Sequence, residues 1–445
     1  MTAQESLARG LALRALELTS ADEAEALVSA SNTALTRFAN NHIHQNVAEN
    51  GVSVSVRAVL GTRIGVASTS RVDDDGLLAC CAAAARAAAA APEDASFPGL
   101  PGPSEVAPAA ASAVVDAFDA EARALAARSV IDQSSSRSLV AAGTVSANEH
   151  AIAVANTRGT DVAGTATGVR ATVLSMGSDG GAGWASYLGP DSSGLAPAAL
   201  GDEAATLAER SADPGDLEPG AYTVVLAAEA VADILEFLGY VGFSAKAVEE
   251  GRSFMSGTSG QRLMSESVTI VDDALATHAL GLPFDFEGVP RRQVTLVDRG
   301  VIGKPVTDSY WAARTGTHNT GHALPAPNPH GPMPMNLELS AGDATIDDLV
   351  GAVEHGVYVT RFHYANVEDP VPVTLTGMTR DGTFLIENGR LTRPLKNLRF
   401  TQPMVEALAG VQGATRERRL FGSELSGSYV PALLLTSFAF TGQTE

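Results

Sequence analysis

The chain has 445 residues, of which 45% are hydrophobic and 18% charged, and its formal net charge at pH 7 is −21. This length predicts two or three domains, and the hydrophobic content excludes an intrinsically disordered protein. The negative charge is spread along the chain, which disfavours binding to nucleic acid or to an anionic membrane surface. We therefore expect a globular protein without nucleic-acid or membrane partners.

Cysteine usage and the N-terminus predict the compartment. The only cysteines, Cys80 and Cys81, are adjacent, so they cannot staple the fold or supply the spaced thiolates of a structural zinc site. Residues 1–18 have amphipathic spacing and lack the apolar core of a signal peptide. No apolar run reaches the roughly 18 residues that a membrane helix needs. These features predict a cytoplasmic protein.

Residues 1–91 predict a small α+β unit. After an N-terminal helix, residues 26–32 and 34–47 have the pattern of paired strands, and residues 52–70 alternate around a turn at 61–62. Three aspartates at 73–75 begin a helix that runs to about residue 91, because carboxylates suit the helix N-terminus. The segment at 92–112 is rich in proline and glycine, which predicts a linker.

Residues 113–215 predict a second unit with the same order of elements. Helices are expected over 117–136 and 196–211, and the strands between them, at 138–188, turn at 156–159 and 180–181. Helix, strands and helix thus occur twice, which is consistent with a duplicated α+β unit.

Residues 216–445 predict a β-rich C-terminal domain around one central helix. A β-rich run at 221–226 leads into an apolar helix of about four turns at 228–244. A second helix is expected at 346–356, capped by Asp343 or Thr345. Strands are predicted at 268–271, 294–297, 358–362, 373–376, 383–386 and 433–440. The fold class is therefore α+β, with N-terminal helix-and-antiparallel-sheet units followed by a β-rich domain that contains a buried central helix.

Polar residues interrupt the central helix at three positions, Glu229, Asp233 and Glu236. The first two lie in the opening turns, where carboxylates suit the helix dipole. Glu236 lies in the middle, so it belongs either to the rim of the core, which is the commoner case, or to a site.

The histidines are the other candidates for chemistry. His318 and His322 are four residues apart, but glycine and proline make this segment a loop, so a shared metal is not enforced by geometry. The alternative is that they hydrogen-bond to the backbone or to a partner. His42 and His44 alternate on a strand, which favours a solvated face. The chain has no phosphate-binding G-x-x-x-x-G-K-[ST] and no G-x-S-x-G.

Seven stretches of the sequence carry a resemblance to one protein family. They are ALTRFANNHIHQ (34–45), GVSVSVRAVLGTRIGVAST (51–69), SFPGLP (96–101), GRSFMSGTSGQRLMSESVTIVDD (251–273), NLELSAGDATIDDLVGAVEHGVYVTRFHYANVEDP (336–370), LTGMTRDGTFLIENGRLTRPLKNLRFTQ (375–402) and VPALLLTSFAFTG (430–442). In wording and order they resemble the TldD/PmbA family, whose members were once called modulators of DNA gyrase. The match covers nearly the whole chain, and the C-terminal half agrees more strongly than the N-terminal half.

This resemblance implies a cytosolic α+β protein whose relatives assemble as a two-subunit peptidase for small peptides, including ribosomal-peptide precursors. One subunit of the family carries H-E-x-x-x-H on the central helix, with a later cysteine as a further zinc ligand, and its glutamate would activate metal-bound water. The other subunit, of the TldE or PmbA type, lacks the zinc ligands.

This sequence departs from the zinc-bearing pattern. Setting LEFLGYVG beneath L-H-E-x-x-x-H-G places Glu236 and Val241 at the histidine positions and Phe237 at the glutamate position. The C-terminal half has no cysteine. Valine cannot bind zinc and phenylalanine cannot activate water, so a zinc peptidase of this kind cannot operate from this helix alone. The resemblance thus implies no cofactor in this chain and zinc in a partner.

The leading hypothesis is a metal-free TldE/PmbA-like subunit that pairs with a TldD-like zinc subunit and helps to form its peptide-binding chamber. Strands at 357–400 are expected to shape the cleft or the interface by pairing with an extended peptide. The cleft or interface candidates are His318, Arg361, His363, Tyr364 and Asn366.

Two alternatives stay open. In the first alternative, the chain is a stand-alone enzyme that acts on a modified peptide or amino acid. Its catalytic candidates are Glu236 and His322, and His318 and His363 complete the site. In the other alternative it is a homodimer that captures peptides without cutting them.

Overall fold

The computed structural model describes residues 2–107 and 114–443, and it confirms the predicted α+β class. The N-terminal half contains α1 (Ala3–Leu18), β1 (Glu23–Ala39), β2 (His42–Leu60), β3 (Arg63–Thr69), α2 (Asp74–Ala90), α3 (Val114–Ala117), α4 (Ala120–Ser135), β4 (Val140–Asn156), β5 (Asp161–Met176), β6 (Ala182–Gly189) and α5 (Pro197–Arg210). The helices expected from the sequence begin and end within a few residues of these bounds.

The C-terminal half is rich in strands, as predicted. It contains β7 (Gly220–Leu226), α6 (Ala228–Val241), α7 (Ala245–Glu249), β8 (Ile270–Asp272), β9 (Val294–Asp298), β10 (Val301–Ile302), α8 (Ser309–Thr315), β11 (Asn336–Leu339), α9 (Ile346–Gly351), β12 (His355–Asp369), β13 (Thr374–Glu387), β14 (Arg390–Leu395), β15 (Leu398–Pro403), α10 (Met404–Ala409), β16 (Val411–Gly422) and β17 (Gly427–Gln443). Among the described residues, no helix is both long and apolar enough to cross a membrane.

The two N-terminal units share one antiparallel sheet, which we call sheet A. Its six strands follow the order β3-β2-β1-β4-β5-β6, so each unit contributes three neighbouring strands and β1 pairs with β4 at the join. The boundaries at 91, 113 and 215 stay predictions, and residues 108–112 of the expected linker lie outside the described residues.

Sheet A is covered by different partners on its two faces. Alanine and valine side chains at alternate positions, such as Ala26 and Val28, pack under α1 and α2, and the same face continues beneath α4 and α5. On the opposite face, Ile152 and Val154 pack against Phe284 of the C-terminal half. The alternation along each strand therefore decides which face receives helices and which receives the C-terminal domain.

The first hairpin corrects one prediction. The expected break near residue 33 is wrong, because β1 continues to Ala39 and the chain turns at Asn40 and Asn41, whose φ angles are 51° and 62°. Two consecutive asparagines in the left-handed region suit a tight hairpin turn whose twist matches the flanking strands. Polar residues in the middle of β1 interrupt its apolar pattern, so the sequence predicts two strands where the structure has one.

The C-terminal half forms an 11-stranded mixed sheet that holds the central helix. β7 pairs in parallel with β12 and antiparallel with β17, and α6 follows β7 directly and packs against β12 and β17. The predicted strands at 373–376 and 383–386 are both parts of β13, which is bent by Asp381 and Gly382 at positive φ. No individual strands were predicted at the positions of β10, β11, β14, β15 and β16. α9 has Thr345 as its cap, as expected, but ends at Gly351 rather than at residue 356.

Candidate functional site

The two faces of α6 differ in chemistry. Ala230, Val231, Ile234, Leu235 and Leu238 are buried in the largest apolar core of the protein. Glu229, Asp233 and Glu236 stand on another face, because residues four and three apart lie above one another on a helix. The helix that the sequence predicts as buried is therefore buried along one stripe and acidic along another.

The acidic face of α6 lines a cavity of about 650 Å³ between the two halves of the protein. Its other walls come from Arg170 and Leu188 of sheet A, from the segment 333–335, and from the hairpin of β16 and β17. A second cavity of about 710 Å³ lies between α5, β12 and β16. Glu229 lines both cavities. These volumes fall in the range that accommodates small ligands or short peptide segments.

The carboxylates in this region repel one another. Burial, together with the negative charges of Glu229 and Glu236, raises the pKa of Asp233 to about 7. Burial also raises the pKa of Glu229. Asp233 can therefore exchange a proton near neutral pH, which is the property that general acid–base chemistry requires.

Arg361 of β12 partly offsets this charge at both Glu229 and Asp233, and Arg419 of β16 does so at Glu229. Arg361 lowers the pKa of both Glu229 and Asp233, but its own guanidinium is already held by Asp381. Nη2 lies 2.6 Å and Nε 2.8 Å from Oδ2 of Asp381, and the group stacks 4.3 Å above the ring of Trp184. Arg361 thus forms its ion pair with Asp381, and among the described residues no ion pair joins it to Glu229 or Asp233.

The residues at the family's zinc positions do not fit a zinc ion. Glu236 is exposed at the cavity, whereas Phe237 and Val241 pack against the apolar core. Cys80 and Cys81 lie in α2, where Cys81 Sγ contacts the carbonyl of Ala15, 3.4 Å away in α1. Within the described ranges, no group of three His, Cys, Asp or Glu side chains is placed to hold a metal ion. One carboxylate is not a zinc site.

His322 lies in the interior of the C-terminal half. Its side chain is fully buried, with Nε2 2.8 Å from Oδ1 of Asp272 and Nδ1 2.9 Å from Oγ1 of Thr320. The backbone N–H groups of Met335 and Asn336 donate to the other oxygen of Asp272. Burial opposes ionisation of Asp272, but the His322 hydrogen bond and charge hold its pKa below the usual value. This network ties β8 to the segment before β11.

The structure does not bring the two catalytic candidates together. Glu236 lines the cavity beside α6, whereas His322 is absent from the walls of both cavities. His318 is exposed after α8, and its backbone carbonyl accepts a hydrogen bond from Thr307. A catalytic role for Glu236 or His322, and a cleft role for His318, stay predictions.

The candidates on β12 form a series that leads away from α6. Arg361 lies nearest to the helix, and His363 follows with its pKa lowered by burial and by Arg380 and Arg361. Tyr364 is 73% exposed at a φ of 51°, and its ring centre lies 4.3 Å from that of His363. Asn366 is exposed and donates to the Tyr364 carbonyl. Their roles in a cleft or an interface stay predictions.

Sequence reasoning missed three residues that shape this site. Asp381 and Trp184 fix Arg361, and Arg419 donates to the carbonyl of Ser186 and pairs with Glu203. The spacing of Glu229, Asp233 and Glu236 was a signal for a shared acidic face, but Asp381 and Trp184 are distant in the chain and carry no local signal.

Comparisons with curated proteins find metalloproteases. The chain is 27% identical to the protein named "Metalloprotease" of Methanothermobacter thermautotrophicus over 42% of this chain and 41% of that one. It is 29% identical to the "Metalloprotease TldD homolog" of Haemophilus influenzae over 35% and 33%. The chain thus spans less than half the length of these curated relatives.

Solved structures match the fold over nearly the full length. TldE from Thermococcus kodakarensis superposes with a TM-score of 0.86 at 19% identity, covering 99% of this chain and 100% of that one. A putative modulator of a DNA gyrase from Thermotoga maritima gives a TM-score of 0.82 at 18% identity, covering 94% and 96%. At these identities the likeness shows a shared fold.

Family models match the chain in three consecutive segments. Residues 24–88 match the PmbA/TldA metallopeptidase domain 1, residues 101–212 the central domain, and residues 219–442 the C-terminal domain. The C-terminal segment alone, which contains α6 and most of its cavity, covers half of the chain. The resemblance seen in the sequence is therefore confirmed, and the chain belongs to the PmbA/TldD metallopeptidase family.

Proposed function

We propose that this chain is a metal-free, TldE/PmbA-like subunit that pairs with a TldD-like zinc subunit to form a cytosolic peptidase for small or precursor peptides. The observation that carries the proposal is the helix α6, which presents Glu236, Phe237 and Val241 where a zinc subunit of the family would present its ligands and base. A chain with this helix needs the metal of a partner to activate water.

The cavity beside α6 supports a role in holding substrate. It is lined by apolar side chains such as Leu188 and Phe237 together with the carboxylates of α6, a combination that suits a peptide segment. Asp233 gives this wall a group that titrates near neutral pH. In the proposed complex the chain's own residues bind and orient the peptide, and the partner's zinc supplies the hydrolytic chemistry.

The test is to express this chain alone and together with an H-E-x-x-x-H relative from the same genome. Native mass spectrometry and metal analysis are then combined with a peptidase assay on a library of unstructured peptides. We expect a metal-free chain, a stable complex that contains zinc in the partner, and turnover only when both chains are present. Stoichiometric metal and turnover in the lone chain would contradict the proposal and favour a stand-alone enzyme.

The same experiment distinguishes the proposed complex from a homodimer that binds peptides without cleaving them. The homodimer hypothesis predicts a dimer of the lone chain with measurable peptide affinity, and no turnover with or without the zinc subunit.

A Glu236→Gln variant, which keeps the shape of the cavity wall, tests whether this residue acts catalytically, since a purely structural role leaves turnover by the complex unchanged.

A further inference from the structure

The first half of β2 is a free sheet edge. Residues 42–53 pair on one side with β1, from Ala39 opposite His42 to Ser29 opposite Ser53. The next strand, β3, pairs only with Val54–Leu60, so it does not reach this segment. Among the described residues, no other backbone group hydrogen-bonds to the backbone of 42–53. A strand of this length presents an edge of about 40 Å.

This edge has little of the protection that long sheet edges usually have. It contains no proline, lysine or arginine and one acidic residue, Glu49, and its one bulge lies near its start, at His44, because Arg37 pairs with Gln45 and Phe38 with Ile43. Ten of its twelve residues are exposed, and Val47 and Val52 are half-buried. Ile43 is 38% exposed. Monomeric proteins blunt long edges with charges, prolines, bulges or covering segments, because unpaired N–H and C=O groups otherwise recruit another strand.

The other segments that border sheet A are protected. The part of β5 that β6 does not reach, residues 161–168, is mostly buried. β3 has only seven residues, and short edge strands pair poorly with other chains. β6 lies against the C-terminal half, where Arg419 donates to the Ser186 carbonyl from a distance of 2.7 Å. The segment 42–53 is thus the long border of sheet A that the described chain leaves unpaired.

We propose that residues 42–53 pair antiparallel with the corresponding edge strand of the TldD-like partner subunit, so that the two sheets join. This inference rests on the proposed function, which supplies the partner. Because the partner belongs to the same family, its first domain has the same kind of hairpin, and two like edges pair through an approximate twofold axis. If this twofold axis is perpendicular to the sheet, the helix layers of both subunits lie on the same face of the joined sheet.

The segment 42–53 carries little of the negative charge of this chain. The whole chain has a formal charge of −21, yet Glu49 is the only Asp, Glu, Lys or Arg residue in 42–53. His42 and His44 are exposed near one end of the segment. Another subunit therefore meets little electrostatic repulsion from this chain at this edge.

The proposed pairing also orients the cavities. The C-terminal half of this chain packs on the face of sheet A opposite α1, α2, α4 and α5. Joining the two sheets about the axis described above places both C-terminal domains on the same side of the joined sheet. The cavity beside α6 and the partner's zinc helix then face a common space, which suits a substrate held by one subunit and cleaved by the other.

Hydrogen exchange measured by mass spectrometry with electron-transfer fragmentation tests the pairing on the full chain, alone and in the complex. In an antiparallel edge strand, successive residues direct their N–H groups alternately inwards and outwards. We expect every second amide of 42–53 to exchange at least about tenfold more slowly in the complex, while amides of β3 remain unchanged.

The outcomes separate the two proposals. A complex that forms but leaves 42–53 unprotected overturns the edge pairing and leaves the proposed function standing. If no complex forms, both proposals fail. Protection of 42–53 in the lone chain, at concentrations where it dimerises, assigns the edge to a second copy of this chain and overturns the assignment to the partner.

Proline at two adjacent positions provides a matched pair of variants. Asn46→Pro and Val47→Pro remove N–H groups that point in opposite directions, so only one of them leaves the pairing with β1 intact. We expect the variant that lacks the outward N–H to keep the unfolding midpoint of the lone chain and to bind the partner at least about tenfold more weakly. Unchanged affinity for that variant would contradict the pairing.

Discussion

The acidic face of α6 and the pair of His322 with Asp272 contain similar ionisable side chains in opposite surroundings. The carboxylates of α6 border a cavity, where burial and the charges of Glu229 and Glu236 raise the pKa of Asp233, and the arginine opposite them is bound to Asp381. Asp272 is fully buried, but His322 and two backbone N–H groups occupy its oxygens. This difference shows what decides whether an ionisable group stabilises the fold or stays available to a ligand. Its hydrogen-bonding and charged partners matter more than how deeply it is buried.

The largest expected effect is the loss of the buried pair. Replacing His322 by alanine leaves Asp272 without its partner in an apolar interior, so we expect the free energy of unfolding to fall by about 3–5 kcal/mol. Urea unfolding of the lone chain measures this. His318→Ala is the matched control and should change stability by less than about 0.5 kcal/mol, because His318 is exposed. Equal stabilities of the two variants would show that His322 is not a structural residue.

Removal of the fixed arginine is expected to have the next largest effect. Arg361→Ala leaves the nearly buried carboxylate of Asp381 unpaired, which should cost about 2 kcal/mol since the arginine is itself partly exposed. Adding Asp381→Asn to this variant should restore part of the loss, because the uncompensated charge is then gone. Urea unfolding of both variants measures the coupling. No recovery in the double variant would indicate that stacking on Trp184, rather than the ion pair, provides the stability.

The acidic face predicts a pH dependence of the opposite sign from that of an ordinary ion-paired aspartate. The pKa of Asp233 is 3.8 in its unperturbed state and about 7 in the folded protein, so the folded chain binds this proton more tightly. The contribution of Asp233 is therefore most favourable at low pH and is lost as pH rises through 7.

Asp233→Asn isolates this contribution. Between pH 5 and pH 8 the unmodified chain should lose about 1–2 kcal/mol more stability than the variant, an amount reduced for the partial exposure of the side chain. Chemical unfolding at both pH values gives the difference. If the two proteins show the same pH dependence, the carboxylates of α6 do not interact as the geometry indicates.

The smallest expected effect concerns Tyr364. It differs from both the acidic face of α6 and the pair of His322 with Asp272, because its backbone is strained and its side chain is exposed. A non-glycine residue at positive φ carries a backbone cost, so Tyr364→Gly should be more stable than Tyr364→Ala by about 0.5–1 kcal/mol. Thermal unfolding of the lone chain compares the two variants. If both variants also weaken the complex with the zinc subunit, the exposed ring is part of the interface.

Local patterns in the sequence determined much of this protein. The alternation in the strands, the aspartates that cap α2 and the apolar run of α6 predict the α+β class because these signals act over a few residues. Once LEFLGYVG is aligned with the family's zinc-binding pattern, residue chemistry at 236, 237 and 241 suffices to predict that this helix does not bind zinc. The family resemblance was also carried by the sequence.

The tertiary structure alone decided how these parts meet. The pairing of β1 with β4 joins residues that are more than 100 positions apart in the chain, and no local signal specifies it. Likewise, Arg361 finds Asp381 and Trp184 only through strand pairing and packing, whereas His322 finds Asp272 across 50 residues. Such long-range pairs depend on the global arrangement of the strands. For this reason the sequence alone could predict His322 as a catalytic candidate but could not predict that it is buried against Asp272.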